Sequence, residues 1–240
     1  RLRGYCSSNL SSSDRSNATV PAAIILDRQS GEEPKTLWEE DPTTDTLEAK
    51  SSSVTVEERQ ARFGQEPVTL LLTGLTGSGK TTISSALERR LFDEGRATVV
   101  LDGQDLRRGI SKDLGFTANE RSENLRRGAE IAKLINNSGF LCIAAFLAPS
   151  DEVRKKAAET VGVERFVTIH LHASLKVCRE RDTAGHYAMA DEGKIGNFPG
   201  VSSPYEEPES PDLCLDTETL SVDECVEKIY QLLKRKGVFL

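Results

Sequence analysis

From residue 68 onward the chain alternates short apolar runs with stretches in which apolar side chains return every three or four positions, the pattern of buried strands exchanged with amphipathic helices. Residues 68–72 form the first such run. Ile83, Ala86, Leu87 and Leu91 then recur at helical spacing with Glu88, Arg89 and Glu94 between them, and Gly95 is placed to end the helix in a left-handed conformation. A β-branched run at 98–101 ends in Asp102, and a strand, helix and strand of this length predict a right-handed parallel crossover. Thr117 and Glu120 have capping-box spacing and open a helix through Leu125, Ala129, Ala132 and Ile135. The continuous apolar run at 140–147 fits a strand covered on both faces. Ser150 can cap a helix that carries Asp151 and Glu152 in its first turn. A fourth strand is predicted at 166–171, a short helix at 175–181 and a fifth strand at 213–215. Ser221 and Glu224 then open a last helix through Val222, Cys225, Val226, Ile229, Leu232 and Leu233. The expected fold class is α/β, a three-layer sandwich around a five-stranded parallel sheet.

Two stretches break the alternation. Residues 1–66 are Ser-rich, then acidic and Thr-rich, with one strand-like run at 20–26, so they read as an N-terminal fragment or linker, poorly ordered or extended against a domain at 67–240. Residues 182–208 contain glycines, Lys194, Phe198 and Tyr205, the ingredients of a lid, with a floppy surface insertion as the bland alternative. The net charge of −7 excludes a global basic field for nucleic acid or anionic membrane, so an anion site must be a local concentration of Arg and Lys. Five scattered cysteines, no C-x-x-C pair and no long apolar span point to a cytoplasmic protein with free thiols. His170 and His172 read as ordinary strand positions, because the sequence places no carboxylate or Cys cluster beside them.

Chemistry concentrates after the first strand. Gly74-Leu75-Thr76-Gly77-Ser78-Gly79-Lys80-Thr81 fits G-x-x-x-x-G-K-[ST], and Thr82 continues into the helix. Backbone N–H groups of such a loop converge on polyphosphate, with Lys80 reaching the β/γ-phosphates and the Thr81 hydroxyl serving Mg²⁺. The expected fold is therefore of the P-loop NTPase type, with a purine nucleoside triphosphate as ligand. Ligands of such sheets bind beyond the carboxyl ends of the strands, which makes Asp102 the candidate carboxylate for Mg²⁺, against the alternative of a turn cap before Gly103. Arg107, Arg108, Arg121, Arg126 and Arg127 form the local basic concentration, suited to a second anionic substrate or, equally for Arg126 and Arg127, to a solvated face with Glu120, Glu123 and Glu130.

In order and spacing, the phosphate loop, Leu101-Asp102-Gly103, Arg107, Asp113-Leu114-Gly115-Phe116, Arg121, Glu123-Asn124, Arg126-Arg127, Arg181-Asp182, Gly193-Lys194-Ile195, Phe198, Gly200 and Pro204-Tyr205-Glu206 resemble adenylylsulfate (APS) kinase. The resemblance runs from about residue 57 to the C-terminus. It implies transfer of the ATP γ-phosphate to the 3′-hydroxyl of APS to make 3′-phosphoadenylyl sulfate (PAPS), by an enzyme that usually dimerises. Carried over by position, Lys80 and Asp102 are catalytic, residues 74–82 and Arg181 bind ATP, and Arg107, Phe116, Arg121, Asn124, Lys194 and Phe198 bind APS. Thr81 and Asp102 would hold Mg²⁺. Residues 14–20 resemble the closing strand of the GTPase-type large subunit of sulfate adenylyltransferase, which implies a fused or associated partner. Three departures bear on activity. The family's Asp-Gly-Asp is Asp102-Gly103-Gln104, its Ser-Pro-Tyr-Arg is Ala148-Pro149-Ser150-Asp151, and three lysines are gone from the lid after Asp182. Two alternatives accompany the kinase reading: a catalytically impaired regulatory domain that binds the nucleotides, and the same chemistry on another acceptor.

Overall fold

The computed structural model describes Trp38 and residues 52–240. Five strands, β1 (Thr69–Thr73), β2 (Thr98–Asp102), β3 (Leu141–Ala145), β4 (Phe166–His172) and β5 (Leu213–Asp216), form one all-parallel sheet in the order β2-β3-β1-β4-β5. The described helices are α1 (Val56–Phe63), α2 (Lys80–Asp93), α3 (Gly103–Arg107), α4 (Ala118–Asn137), α5 (Asp151–Val161), α6 (Leu175–Glu180), α7 (His186–Asp191) and α8 (Val222–Arg235). Every residue of β1 and β3 is buried, as their unbroken apolar character requires. Alternate side chains of β1 feed two cores: Leu70 and Leu72 pack with Ile83, Leu87, Ile229 and Leu233 from α2 and α8, whereas Leu71 packs with Leu125, Ala129 and Ala157 from α4 and α5. This is the expected three-layer sandwich. It puts the carboxyl ends of β1, β2 and β3 at one rim.

All three foreseen caps form: Thr117 and Ser221 complete capping boxes with Glu120 and Glu224, and Ser150 accepts from Val153 N. The third strand is shorter than expected. Beyond Ala145 the chain turns through Ala148, whose φ of 43° is left-handed, before Pro149, and the Leu147 carbonyl accepts from Thr73 Oγ1 at 2.6 Å instead of joining a ladder.

The domain expected at 67–240 begins at residue 67. Helix α1 lies upstream of it, with a capping box between Thr55 and Glu58 and a left-handed Gly64 at its end. It packs onto the domain through Phe63 against Phe140, with ring centroids 5.1 Å apart, and Gln65 then donates to the Ala97 and Gly139 carbonyls at 2.8 and 3.0 Å. The strand-like run at 20–26 and the order expected of the stretch before residue 52 lie outside the described residues, apart from Trp38, whose indole donates to Ser122 Oγ at 2.9 Å. The 182–208 segment is structured in part by α7. Tyr187 and Phe198 form a small third core with Ala173, Cys178 and Ala190. Among the described residues no helix is long and apolar enough to cross a membrane.

Candidate active site

At the rim, the phosphate loop leaves β1 and turns into α2. Its glycines are fixed by contact as much as by torsion: a Cβ on Gly74 would lie 2.4 Å from the Leu171 carbonyl oxygen and one on Gly77 would lie 2.5 Å from that of Cys178. Tyr187 clasps the loop from the lid side, its hydroxyl donating to Thr76 O at 2.7 Å. With φ of 95°, Gly79 hands the chain into α2, whose first turn carries no acidic residue to compete for an anion. Lys80 folds back onto the loop, donating to Gly74 O at 2.8 Å and Leu75 O at 2.7 Å. Burial pulls its ammonium down to about 8, against the Cys178 and Asp102 charges, which push it up.

Opposite the loop, Asp102 ends β2. One carboxylate oxygen accepts from the Thr81 hydroxyl at 2.8 Å, and the other caps α3 by accepting from Gln104 N at 2.7 Å. The turn cap and the cleft-lining carboxylate are thus one residue. Asp105 is not among the cleft-lining residues and pairs with Arg108 at 3.7 Å. Across the cleft, Arg107 donates to Leu114 O at 3.3 Å and also to Gly115 O, while Arg121 donates to Phe116 O at 2.9 Å. Their guanidinium groups lie 4.7 and 5.2 Å from the Phe116 ring centroid, and that ring remains 51% exposed. Burial, followed by the Arg107 charge, pulls Arg121 down to about 10, and burial also lowers Arg107. At the other end of the cleft, Arg181 donates to Thr217 Oγ1 at 3.1 Å and to Thr217 O at 2.7 Å.

One regularity joins these four cations. Each is oriented by backbone carbonyls, helped at Arg181 by a hydroxyl, and among the described residues none forms an ion pair. Carbonyl oxygens fix a side chain without cancelling its charge. The result is a polar cleft of about 710 Å³ carrying Lys80, Arg107, Arg121 and Arg181, in which Asp102 is the one carboxylate among the described lining residues. A pocket with this charge is complementary to two polyanions placed end to end. In contrast, Arg126 and Arg127 both bind Glu123, at 2.7 and 2.8 Å, and Arg127 also binds Asp113 at 2.7 Å. They are struts of the α4 surface.

A sequence model described as adenylylsulphate kinase matches residues 66–216. The chain belongs to the adenylylsulfate kinase family. Over 221 residues it is 52% identical to the bifunctional enzyme CysN/CysC of Rhodopirellula baltica, a match covering 92% of this chain and 34% of that protein, so the chain spans about a third of that relative. It is 47% identical over 176 residues to the adenylyl-sulfate kinase of Phocaeicola vulgatus, covering 73% of this chain and 86% of that one. The solved structure of the Mycobacterium tuberculosis APS kinase CysC in complex with AMPPNP and APS superposes with a TM-score of 0.68 at 37% identity, covering 71% of this chain and 99% of that one.

Against the residues that the family resemblance singles out, the structure brings together the phosphate loop, Asp102, Arg107, Phe116, Arg121 and Arg181. Three expected APS contacts lie elsewhere. Phe198 is 4% exposed, with its ring edge-on to Tyr187 at 4.9 Å, so it does not face Phe116. Lys194 sits at the surface and pairs with Glu192 at 2.6 Å. Asn124 is buried behind the cleft, donating to Gly103 O at 3.0 Å, while its own carbonyl oxygen lacks a partner among the described residues. Sequence reasoning missed Thr217 and Tyr187. Thr217 follows β5, so the rule that ligands gather beyond strand ends could have found it; Tyr187 carried no signal beyond its place in the lid.

Proposed function

We propose that this chain transfers the ATP γ-phosphate to the 3′-hydroxyl of APS, giving PAPS, and so acts in sulfate activation. The observation that carries this reading is the set of carbonyl-held cations facing one cleft. Phosphoryl transfer asks a protein chiefly to position two anions and neutralise charge, and this cleft has the groups for both. Lys80 and the amino end of α2 would hold the β- and γ-phosphates, with Arg181 beside the ATP. Arg107 and Arg121 would take the phosphosulfate, Phe116 the adenine face, and Asn124 would support the wall from behind. Phe198 and Lys194 join the APS site only if residues 182–208 move, and that movement is part of the proposal.

The Thr81 hydroxyl and Asp102 carboxylate, already in contact at 2.8 Å, are hard oxygen donors of the kind Mg²⁺ selects, so these residues fit the ion. When bound with ATP, Mg²⁺ would offset charge on the β/γ oxygens. Gln104 is exposed at the cleft and can neither ionise nor accept the acceptor's proton, which leaves Asp102 to carry the cleft's negative charge. Turnover should therefore be slow while binding is retained. An ADP-release assay with APS as acceptor tests this: Gln104→Asp should raise kcat with little change in affinity for either nucleotide, since the lost interaction acts on charge that develops during transfer. ADP release that is equal without APS would overturn the acceptor assignment. The regulatory-domain alternative is not favoured, because relatives 43–47% identical are named as kinases.

The wider setting belongs to the same proposal. Residues 1–66 would include the end of a preceding GTPase-type sulfate adenylyltransferase subunit, a reading supported by the extent of the likeness to the bifunctional Rhodopirellula protein. A homodimer, recognisable as twice the chain mass in solution, and a reducing cytoplasmic location for the free thiols Cys142, Cys178, Cys214 and Cys225 complete it.

A further inference from the structure

The His170 and His172 pair, ordinary by sequence, gains two companions in the fold. Residues two apart on a strand share a face, so both imidazoles leave the same side of β4. The sheet register sets Cys214 of β5 directly beside His170, and its Sγ lies 3.7 Å from His170 Nδ1. The segment leaving the lid lays Glu207 over them, with Oε1 at 3.5 Å from His172 Nδ1. Candidate ligand atoms of His170, His172 and Glu207 all fall within 4.8 Å of one another. Two of the three histidines in the chain therefore meet a carboxylate and a free thiol drawn from three separate stretches.

From this arrangement we infer that His170, His172, Glu207 and Cys214 form a zinc-class divalent metal site, separate from the nucleotide cleft and from its Mg²⁺. The spacing carries the inference. A tetrahedral ion with Zn–N and Zn–S bonds of about 2.0 and 2.3 Å needs its ligand atoms roughly 3.3–3.8 Å apart; the His172–Glu207 and His170–Cys214 separations, 3.5 and 3.7 Å, fall in that range, and His170, His172 and Glu207 offer ligand atoms within 4.8 Å of one another. Mixed imidazole, thiolate and carboxylate donors favour zinc over magnesium, which prefers oxygen alone.

The surroundings agree. His170 is buried against the sheet. His172 and Glu207 reach solvent and give the ion an entry. The Asp216 and Glu218 carboxylates act on His172 and add negative potential, whereas the nearby Arg154 is matched by Asp151 at 2.7 Å. Occupancy would fasten the end of the lid segment to the sheet. Tyr205, two residues before Glu207, tilts over His170 with ring centroids 6.2 Å apart and meets Thr73 Oγ1 at 3.2 Å, at the last residue before the phosphate loop.

The test uses the full chain in excess Mg²⁺, titrated with Zn²⁺ by calorimetry and with Co²⁺ by absorption. One equivalent of Zn²⁺ should bind, and Co²⁺ should give a thiolate-to-metal charge-transfer band. Cys214→Ser should abolish that band. His172→Ala, at an exposed position that leaves the core intact, should weaken Zn²⁺ by at least the roughly 10- to 100-fold that loss of a ligand's supporting partner costs. No stoichiometric Zn²⁺ in the unmodified chain, or the same Zn²⁺ affinity in His172→Ala, overturns the site. A band that survives Cys214→Ser removes the thiolate from the ligand set and overturns the four-ligand assignment.

Discussion

The arginines of α3 and α4 divide into two kinds. Arg107 and Arg121 are steered by the carbonyls of residues 114–116 and form no ion pair among the described residues, although the Glu120 charge acts on Arg107, and burial holds both guanidinium groups below the ordinary range. Arg126 and Arg127, less than two helical turns further on, grip Glu123 and Asp113 and titrate above it. One residue type thus gives unsatisfied charge in one place and satisfied structure in the next. A cation held by carbonyls keeps its field available for a ligand, and a cation held by carboxylates has already used it. Lys80 and Arg181 belong to the first kind, which is how the cleft stays positive inside a chain of net charge −7.

That contrast can be broken at four points. The largest effect is expected at Lys80, where the charge acts on the reacting phosphates: Lys80→Ala should lower kcat by roughly 10²–10³-fold, the usual cost of one preorganised stabiliser of transition-state charge, as read by ADP release. Equal turnover would remove Lys80 from the cleft's working set. Next is Arg121→Ala, which should weaken APS by about 1.5–3 kcal/mol, or roughly 10- to 150-fold in Kd by calorimetry. Its melting temperature should hold or rise, because Arg107 loses a like-charged neighbour. Arg127→Ala should do the opposite, costing about 1–3 kcal/mol of stability by stripping partners from buried Glu123 and from Asp113, with a Tm several degrees lower and APS affinity unchanged. If Arg127→Ala also weakened APS substantially, the division into two kinds would fail.

The smallest effect is a proton. Lys80 is lowered from 10.5 to about 8, so the free chain loses this charge as pH rises through about 8. Polyphosphate beside it restores the protonated form. ATP binding should therefore take up almost no proton at about pH 7 and a measurable fraction at about pH 9, and affinity should fall with pH across that window. Calorimetry in buffers of different ionisation enthalpy reads the uptake directly; none at either pH would contradict the burial of Lys80.

The sheet, its order of elements and the phosphate loop were legible because each rests on local signals: apolar runs, capping boxes and glycines with contact partners. Helix α1 carried an equally plain signal in Thr55, Glu58 and Gly64, and was obscured by the polar composition around it. Which arginines line the cleft was not legible, since Glu123 and Asp113 choose their partners only after α4 docks. The burial of Phe198 against Tyr187 is likewise a tertiary outcome, because an aromatic ring followed by Gly200 in a loop reads equally well as a cover or a plug. The companions of His170 and His172 stand 35 and 44 residues away from them in sequence, and only the β4–β5 register and the lid's return path reveal them.

At the opposite pole from the cleft, Leu240 N donates to Gly64 O at 3.1 Å, and Phe239 forms an antiparallel bridge with Gln65. The described fold is therefore nearly a closed ring, its seam sealed by a main-chain clasp far from the cleft. Rewiring follows naturally: a short linker from residue 240 to residue 55, with new ends opened at an exposed turn such as Gly95, should yield a circular permutant that still folds and still binds ATP.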